Sequence, residues 1–274
     1  IDIVYLDWRG FPAARVFPGK LGGTTLIRRR QVEAYNEPVA ANIVKQLVFG
    51  KIANQAYFLK SLAKTRENTF IKSSAGELLE SARKVLELEG MVDGFRQTIL
   101  GIEGSCATKY FEALAKILPF SGRDQEGNDS VNACLNYAYG ILYSETEKAL
   151  LLAGLDSYYG YLHTDRYGKR SMVYDFIEPF RPIFADRADV TLFAQKQITQ
   201  DDLEEKTVDK IGRIQRLKTN GRKKVAAAVL DRFHTKIKLG EEIQFSEVIL
   251  KQARAIASSL TSQEKAFNVF VYKW

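Results

Sequence analysis

The chain has 274 residues, 46% of them hydrophobic, and a formal net charge of +7. Such a chain buries a sizeable core in one large domain or two smaller ones, with no disordered or low-complexity stretch expected. No apolar run approaches the roughly 20 residues that a membrane-spanning helix needs. The start, with Asp2 and Asp7 inside an apolar stretch, is unlike a signal peptide, so a soluble intracellular protein is expected.

Residues 1–30 read as strands and turns. Ile3-Val4-Tyr5-Leu6 is β-prone, Gly10-Phe11-Pro12 turns, Arg15-Val16-Phe17 follows, and Pro18-Gly19 and Gly22-Gly23 turn again. Two or three strands are too few to stand alone, so they need a sheet or a helical partner. From Pro38 the apolar period becomes helical, with Ala40, Ile43, Val44, Leu47, Val48 and Ile52 on one stripe. Ser74-Ala75-Gly76-Glu77 has the form of a capping box, followed by the stripe Leu78, Leu79, Ala82, Val85 and Leu86. Gly90 and Gly94 interrupt the chain there. The stripe Ala107, Tyr110, Phe111, Leu114, Ile117 and Leu118 is stopped by Pro119, and residues 120–130 form a polar loop. Leu135, Ala138, Leu142 and Ala149 mark a helix ending near Gly154. Another should start near Ser171, and two more are expected around residues 225–237 and 246–260. The fold class is mainly α: a small β-strand portion over residues 1–30, then a large α-helical domain over residues 31–274.

Charge is unevenly spread. Lys206, Lys210, Arg213, Arg216, Lys218, Arg222, Lys223, Lys224, Arg232, Lys236 and Lys238 are opposed in their segment only by Asp209 and Asp231. This suits either a solvated face or phosphate contacts that bind DNA without reading its sequence. Arg28, Arg29 and Arg30 make a second cluster. Cys106 and Cys134 form no zinc pattern and read as small buried thiols.

Four residues carry candidate chemistry. Glu103 shares a helix side with Ile99, Cys106 and Tyr110, where a carboxylate is costly without a partner. It reads as either an ion-paired acid or a metal ligand. His163, one of two histidines, follows Tyr158, Tyr159 and Tyr161 and is either a hydrogen-bonded core residue or a ligand. Asp175 and Glu178, three apart, fall on one face of a helix. Arg166, Lys169, Arg170 or Arg181 could neutralise them. Pro179 and Pro182 crowd and unpair the carbonyls of Asp175 and Glu178, so a bent helix carrying two acids is expected. Two oxygen donors and one imidazole suit Mg²⁺ or Mn²⁺ better than structural zinc.

These residues resemble a family. Gly101-Ile102-Glu103-Gly104-Ser105-Cys106-Ala107 with Tyr110-Phe111 looks like the first signature of CRISPR-associated protein one, the adaptation integrase. Leu162-His163, Gly168-Lys169-Arg170-Ser171 and Asp175-Phe176-Ile177-Glu178-Pro179-Phe180-Arg181-Pro182 look like the second. Gly50-Lys51-Ile52-Ala53-Asn54-Gln55 and Val131-Asn132-Ala133-Cys134-Leu135-Asn136-Tyr137 are similar to flanking segments. The resemblance implies a metal-dependent DNA endonuclease and integrase of the prokaryotic cytoplasm. It would join 3′-hydroxyl ends of short DNA fragments to the CRISPR repeat. Glu103, His163 and Glu178 would hold Mg²⁺ or Mn²⁺, with Asp175 beside them as the fourth catalytic residue. Nearby tyrosines and Asn132 would order the helices or touch DNA. The implied partners are DNA, a second copy of the chain, and a dimer of the small ferredoxin-like protein Cas-two. The family begins with a larger β domain, of which residues 1–23 look like the last part. Two other readings fit the same residues: a basic helical DNA-binding protein without catalysis, and a casposon-type transposase with the same metal site.

Overall fold

The computed structural model describes residues 3–7, 12–16, 25–163, 167–208, 212–262 and 264–274. The expected turns at Gly10-Phe11, Pro18-Gly19 and Gly22-Gly23, and Phe17, Arg166, Asp209 and Lys210, lie outside these residues. β1 (Ile3–Leu6) and β2 (Pro12–Val16) pair antiparallel, Ile3 opposite Val16. Helices then dominate: α1 (Thr25–Glu33), α2 (Pro38–Arg66), α3 (Thr69–Leu86), α4 (Val92–Leu114), α5 (Ser130–Leu152), α6 (Ser171–Ile177), α7 (Arg187–Ala194), α8 (Thr219–His234) and α9 (Phe245–Thr261). Two more antiparallel hairpins, β3–β4 (Leu203–Val208, Gly212–Leu217) and β5–β6 (Lys236–Leu239, Glu241–Gln244), flank α8. The protein is mainly α, and among the described residues no helix is long and apolar enough to cross a membrane.

The centre of the molecule is α2. Pro38 opens it, where its missing N–H costs nothing. Ala40, Ile43, Val44, Leu47, Val48, Ile52, Phe58 and Leu59 are buried around its circumference. A helix buried on nearly all sides must be wrapped by others, and α3, α4, the segment after α6, and α9 do the wrapping. Residues 264–274 run back along α2 as an extended strap. Asn42 donates to the Phe267 carbonyl, Gln46 accepts from Val269 N, and Asn54 accepts from Tyr272 N. A Cβ on Gly50 would lie 2.5 Å from Val269, so the strap needs glycine there.

Several elements differ from the expected ones. Residues 25–30 are helical, because α1 is held from outside: buried Gln31 donates to the carbonyls of Asp156 and Tyr159 and accepts from Asp156 N. Arg30 leaves the basic cluster to pair with Glu33 and Glu37. The capping box at Ser74 does not form. Ser74 lies buried inside α3, which starts at Thr69, where Asn68 accepts from Ile71 N. The helix expected over 225–237 spans Thr219–His234 instead, and Ile237 belongs to β5. The hairpins around α8 use β-branched residues on their inner faces, Ile214 in β4, Ile237 in β5 and Ile243 in β6, against the helical core. Cys106 and Cys134 are buried free thiols, as expected.

The joint between β3 and α8 is a single carboxylate. Asp202 accepts from Thr199 N and Oγ1, from Asn220 Nδ2 and from Lys224 Nζ, the last at 2.7 Å. Burial alone would raise its pKa, but these donors hold it down at about 2, below the ordinary 3.8. A depressed acid stabilises the fold above its unfolded pKa, and loses that contribution as pH falls through the folded value. The stabilisation is therefore complete at neutral pH and disappears as pH falls from about 4 towards 2. Asp202→Asn should cost about 1–3 kcal/mol at pH 7. Urea midpoints measured from pH 7 to pH 3 should show its deficit against the parent shrinking in acid.

Candidate active site

The first signature lies in the middle of α4 and the second along a broken helix, and α2 crosses between them. Lys51 of α2 stands 2.7 Å from Glu103 Oε1 and 2.7 Å from Glu178 Oε2, so one ammonium joins both signatures. The three residues are 9%, 8% and 7% exposed. Arg181, one turn beyond Glu178, pairs with its other oxygen at 3.0 Å and lies over the Tyr139 ring. Burial alone would raise the Glu178 carboxyl, but Arg181 and Lys51 hold it well below the ordinary carboxylate range. Burial opposes the charge on Lys51 as well, and Glu178 and Glu103 overcome it and raise its pKa. The contact from Lys51 to Glu178 is an ion pair outside hydrogen-bond angles, which leaves Glu178 Oε2 a buried acceptor without a hydrogen bond.

Two prolines shape the element that carries Glu178. After α6 the chain tightens into a 3₁₀ turn at Glu178–Phe180 and widens into a π turn at Pro182–Asp186. Departures of this kind follow where proline removes an amide donor. The Glu178 carbonyl accepts from Arg181 N instead, and Asn54 of α2 anchors the break by donating to the Pro179 carbonyl at 2.8 Å and to Phe270 O at 3.2 Å. The break therefore ties Glu178 to both α2 and the C-terminal strap.

Asp175 has a different task. Its Oδ2 accepts from the backbone amides of Tyr161 and Leu162, at 2.7 and 2.9 Å. Its Oδ1 accepts from His163 N at 3.0 Å and contacts His163 Nδ1 at 2.5 Å. The carboxylate is only 2% exposed and fully committed to holding the loop before His163. With Nδ1 engaged, Nε2 is the imidazole nitrogen left for other work. Burial would lower the His163 pKa, but the hydrogen bond and charge of Asp175 outweigh it and raise it. Arg96 fixes the same loop from α4 by donating to the carbonyls of Tyr161 and Leu162.

Lys51, His163 and Glu178 open on one cleft of about 570 Å³. Tyr137, Tyr174, Arg123 and Lys169 line its walls, and Gln215 and Arg216 of β4 close one side. The basic segment thus reaches the site through its hairpin. Its charges are partly spent on structure, since Lys224 pairs with Asp202 and Arg232 donates to Ile183 O. Asn132 orders the loop before α5, accepting from Asp124 N and donating to Gly122 O.

Of the four cations expected near the acids, Arg181 pairs with Glu178. Arg170 instead pairs with Glu147, and Lys169 lies over the Tyr174 ring. Lys51 was not foreseen as their partner. Its signal was a lysine set within the apolar stripe Leu47, Val48 and Ile52.

Among the described residues, no three His, Cys, Asp or Glu side chains already stand together as a metal cage. The donor chemistry nonetheless fits a divalent ion. Two buried carboxylates face one cation, and one of their oxygens lacks a hydrogen bond.

Sequence comparison agrees with these signatures. The family model of CRISPR associated protein Cas1 matches residues 1–231. The chain belongs to the Cas1 family. A CRISPR-associated endonuclease Cas1 of Archaeoglobus fulgidus is 34% identical over the whole chain and 83% of its own length. Another, of Pyrobaculum aerophilum, is 38% identical over 66% of this chain and 59% of its own. A solved casposase bound to integration product superposes with a TM-score of 0.87 at 27% identity, covering all of this chain and 75% of that one.

Two glycines, Gly104 of the first signature and Gly160 in the loop before His163, test the packing. A Cβ on Gly160 would fall 2.6–2.9 Å from Ser171 and Asp175 Oδ2, whereas one on Gly104, inside α4, meets nothing within 4 Å. Gly160→Ala should destabilise by about 1–3 kcal/mol. Gly104→Ala should stabilise by about 0.5–1 kcal/mol. Urea unfolding of both variants checks this, and equal effects of the same sign would contradict the described packing.

Proposed function

We propose that the protein is a metal-dependent DNA integrase and endonuclease of CRISPR adaptation. It joins 3′-hydroxyl ends of short DNA fragments to repeat DNA by exchanging phosphodiester bonds. The supporting observation is that Lys51 joins Glu103 to Glu178, and that Glu178 and the tethered His163 line one basic, tyrosine-lined cleft. The names of the relatives, endonuclease and casposase, point the same way.

Glu103, Glu178 and His163 Nε2 would hold Mg²⁺ or Mn²⁺. Such an ion supplies positive charge to the phosphoryl oxygens as the displacement proceeds. The other roles belong to the chain itself. Asp175 keeps the imidazole oriented and its Nδ1 occupied, so that Nε2 alone faces the cleft. Lys169, Arg123 and Arg216 line the walls where a phosphate backbone would run. Tyr137 and Tyr174 offer faces to unstacked bases. Arg181 and Lys51 keep Glu178 ionised against the cost of its burial. The exposed apolar side chains Ile3, Tyr5 and Val16 of the first hairpin offer a surface for homodimerisation. The assembly would include a dimer of the small Cas2 partner.

A strand-transfer assay tests the reading, with labelled fragments bearing free 3′ ends, a repeat-carrying plasmid, the partner protein, and Mn²⁺ or EDTA. Joining should require the metal and fall by at least about 10³-fold in Glu103→Ala and in His163→Ala, with DNA affinity nearly unchanged. Joining within a few-fold of the parent in His163→Ala would reject its assignment. The similarity to a casposase favours a second reading, a transposase acting on its own element's ends. Preference for transposon ends over repeat DNA in the same assay would select it.

The basic hairpin and helix give a separate expectation. Lys206, Arg213, Lys218, Lys223 and Lys238 are exposed. Replacing them together by alanine should weaken binding to all DNA sequences alike and flatten its salt dependence. Affinity measured between about 50 and 200 mM salt would show this. An unchanged slope would mark the segment as a solvated face.

A further inference from the structure

Among the described residues, Lys51 is the one cation that touches both signature glutamates, at 2.7 Å each, from a helix whose neighbouring stripe is apolar. An ammonium buried in such a place is disfavoured unless it is paired. Two ionised carboxylates facing each other are equally disfavoured without a cation between them. Each side therefore needs the other, and the contact from α2 to α4 and the broken helix rests on this exchange. The place that Lys51 Nζ occupies is also the place a divalent ion would share between Glu103 and Glu178. The two cations cannot occupy it together, since like charges at that separation repel strongly. Lys51 borders the 570 Å³ cleft, so its four-carbon stem has open space to turn into.

We propose that Lys51 is a tethered stand-in for the metal: it keeps the two glutamates together when no divalent ion is bound, and must swing into the cleft when the ion binds. This rests on the metal-site reading above. In consequence the free protein keeps its fold without metal. Its apparent affinity for the ion is reduced by the fraction of molecules in which Lys51 occupies the clamp. The swung lysine then presents its charge to the cleft, where a phosphate backbone would run, so metal loading and DNA affinity are coupled through one side chain.

The test compares the parent with Lys51→Met, which keeps the stem and removes the charge. Mn²⁺ binding is followed by the electron paramagnetic resonance signal of the free ion, and thermal unfolding is recorded in EDTA and in Mn²⁺. The variant should bind Mn²⁺ at least about tenfold more tightly. Its melting temperature in EDTA should fall by at least about 5 °C, and Mn²⁺ should restore it, whereas the parent changes little. A lysine with a merely structural role would leave metal affinity unchanged or weaken it.

A second measurement uses the unaltered protein, so the inference stands or falls even if the variant does not fold. Lysines are acetylated with an active ester, with and without saturating Mn²⁺, and the peptide containing Lys51 is quantified by mass spectrometry. Labelling of Lys51 should rise several-fold on Mn²⁺ binding, while that of exposed Lys72 stays constant. Mn²⁺ that binds both proteins equally, or leaves Lys51 labelling unchanged, overturns the stand-in role and leaves the metal site in place. Failure of Mn²⁺ to bind either protein overturns the metal-site reading and this inference with it.

Discussion

Four charged side chains, Lys51, Glu103, Glu178 and Arg181, meet where α2, α4 and the broken helix cross, all largely withdrawn from water. Removing one partner from such a group exposes the rest to the cost of an uncompensated buried charge, about 3–5 kcal/mol. The crossing of the three elements is therefore fixed by electrostatics as much as by the apolar core around it. A patch of leucine and isoleucine there would pack more cheaply. Costly polar burial of this kind is expected at functional sites, which agrees with the role proposed for this crossing.

Around that crossing the structure divides the labour of the acidic residues. Glu103 and Glu178 face one cation, and Glu178 also lines the cleft. Asp175, three residues from Glu178, turns away and spends both oxygens on three amides and an imidazole. The spacing of Asp175 and Glu178 suggested two equivalent acids on one helical face. The helix changes from α to 3₁₀ at Glu178, and this breaks the equivalence. The tyrosines are less cleanly divided. Tyr110 and Tyr139 give their hydroxyls to buried Asp186 at 2.6 Å each, Tyr137 and Tyr174 line the cleft, and Tyr139 lines it as well.

The basic segment shows how composition overstates a surface. Lys224 and Arg232 serve as internal struts, to Asp202 and to the Ile183 carbonyl. Arg222 donates to Leu217 O. What remains exposed is a narrower set on the β3–β4 hairpin, the outer face of α8 and β5, of which the β3–β4 hairpin borders the cleft. Its position, more than its charge count, links it to the site.

The sequence alone determined the helical class, the stripes of α2, α4 and α5, the place of α9, the proline break after Ile177 and the identity of the acidic and imidazole residues. Each of these is local, written in apolar period, in proline's missing donor or in a contiguous motif. It misread Ser74 as a cap, because a Ser-x-x-Glu pattern looks the same inside a helix as at its start. It missed α1 and the two late hairpins, because Gln31 hydrogen bonds across more than a hundred residues and short two-stranded ribbons gain their stability from the core beneath them. Only the tertiary structure decided that Lys51 joins Glu103 to Glu178, that Asp175 serves His163, and that Asn54 anchors the broken helix to α2. These pairings link positions 12 to 127 residues apart, and no local period or propensity encodes which buried charge will find which.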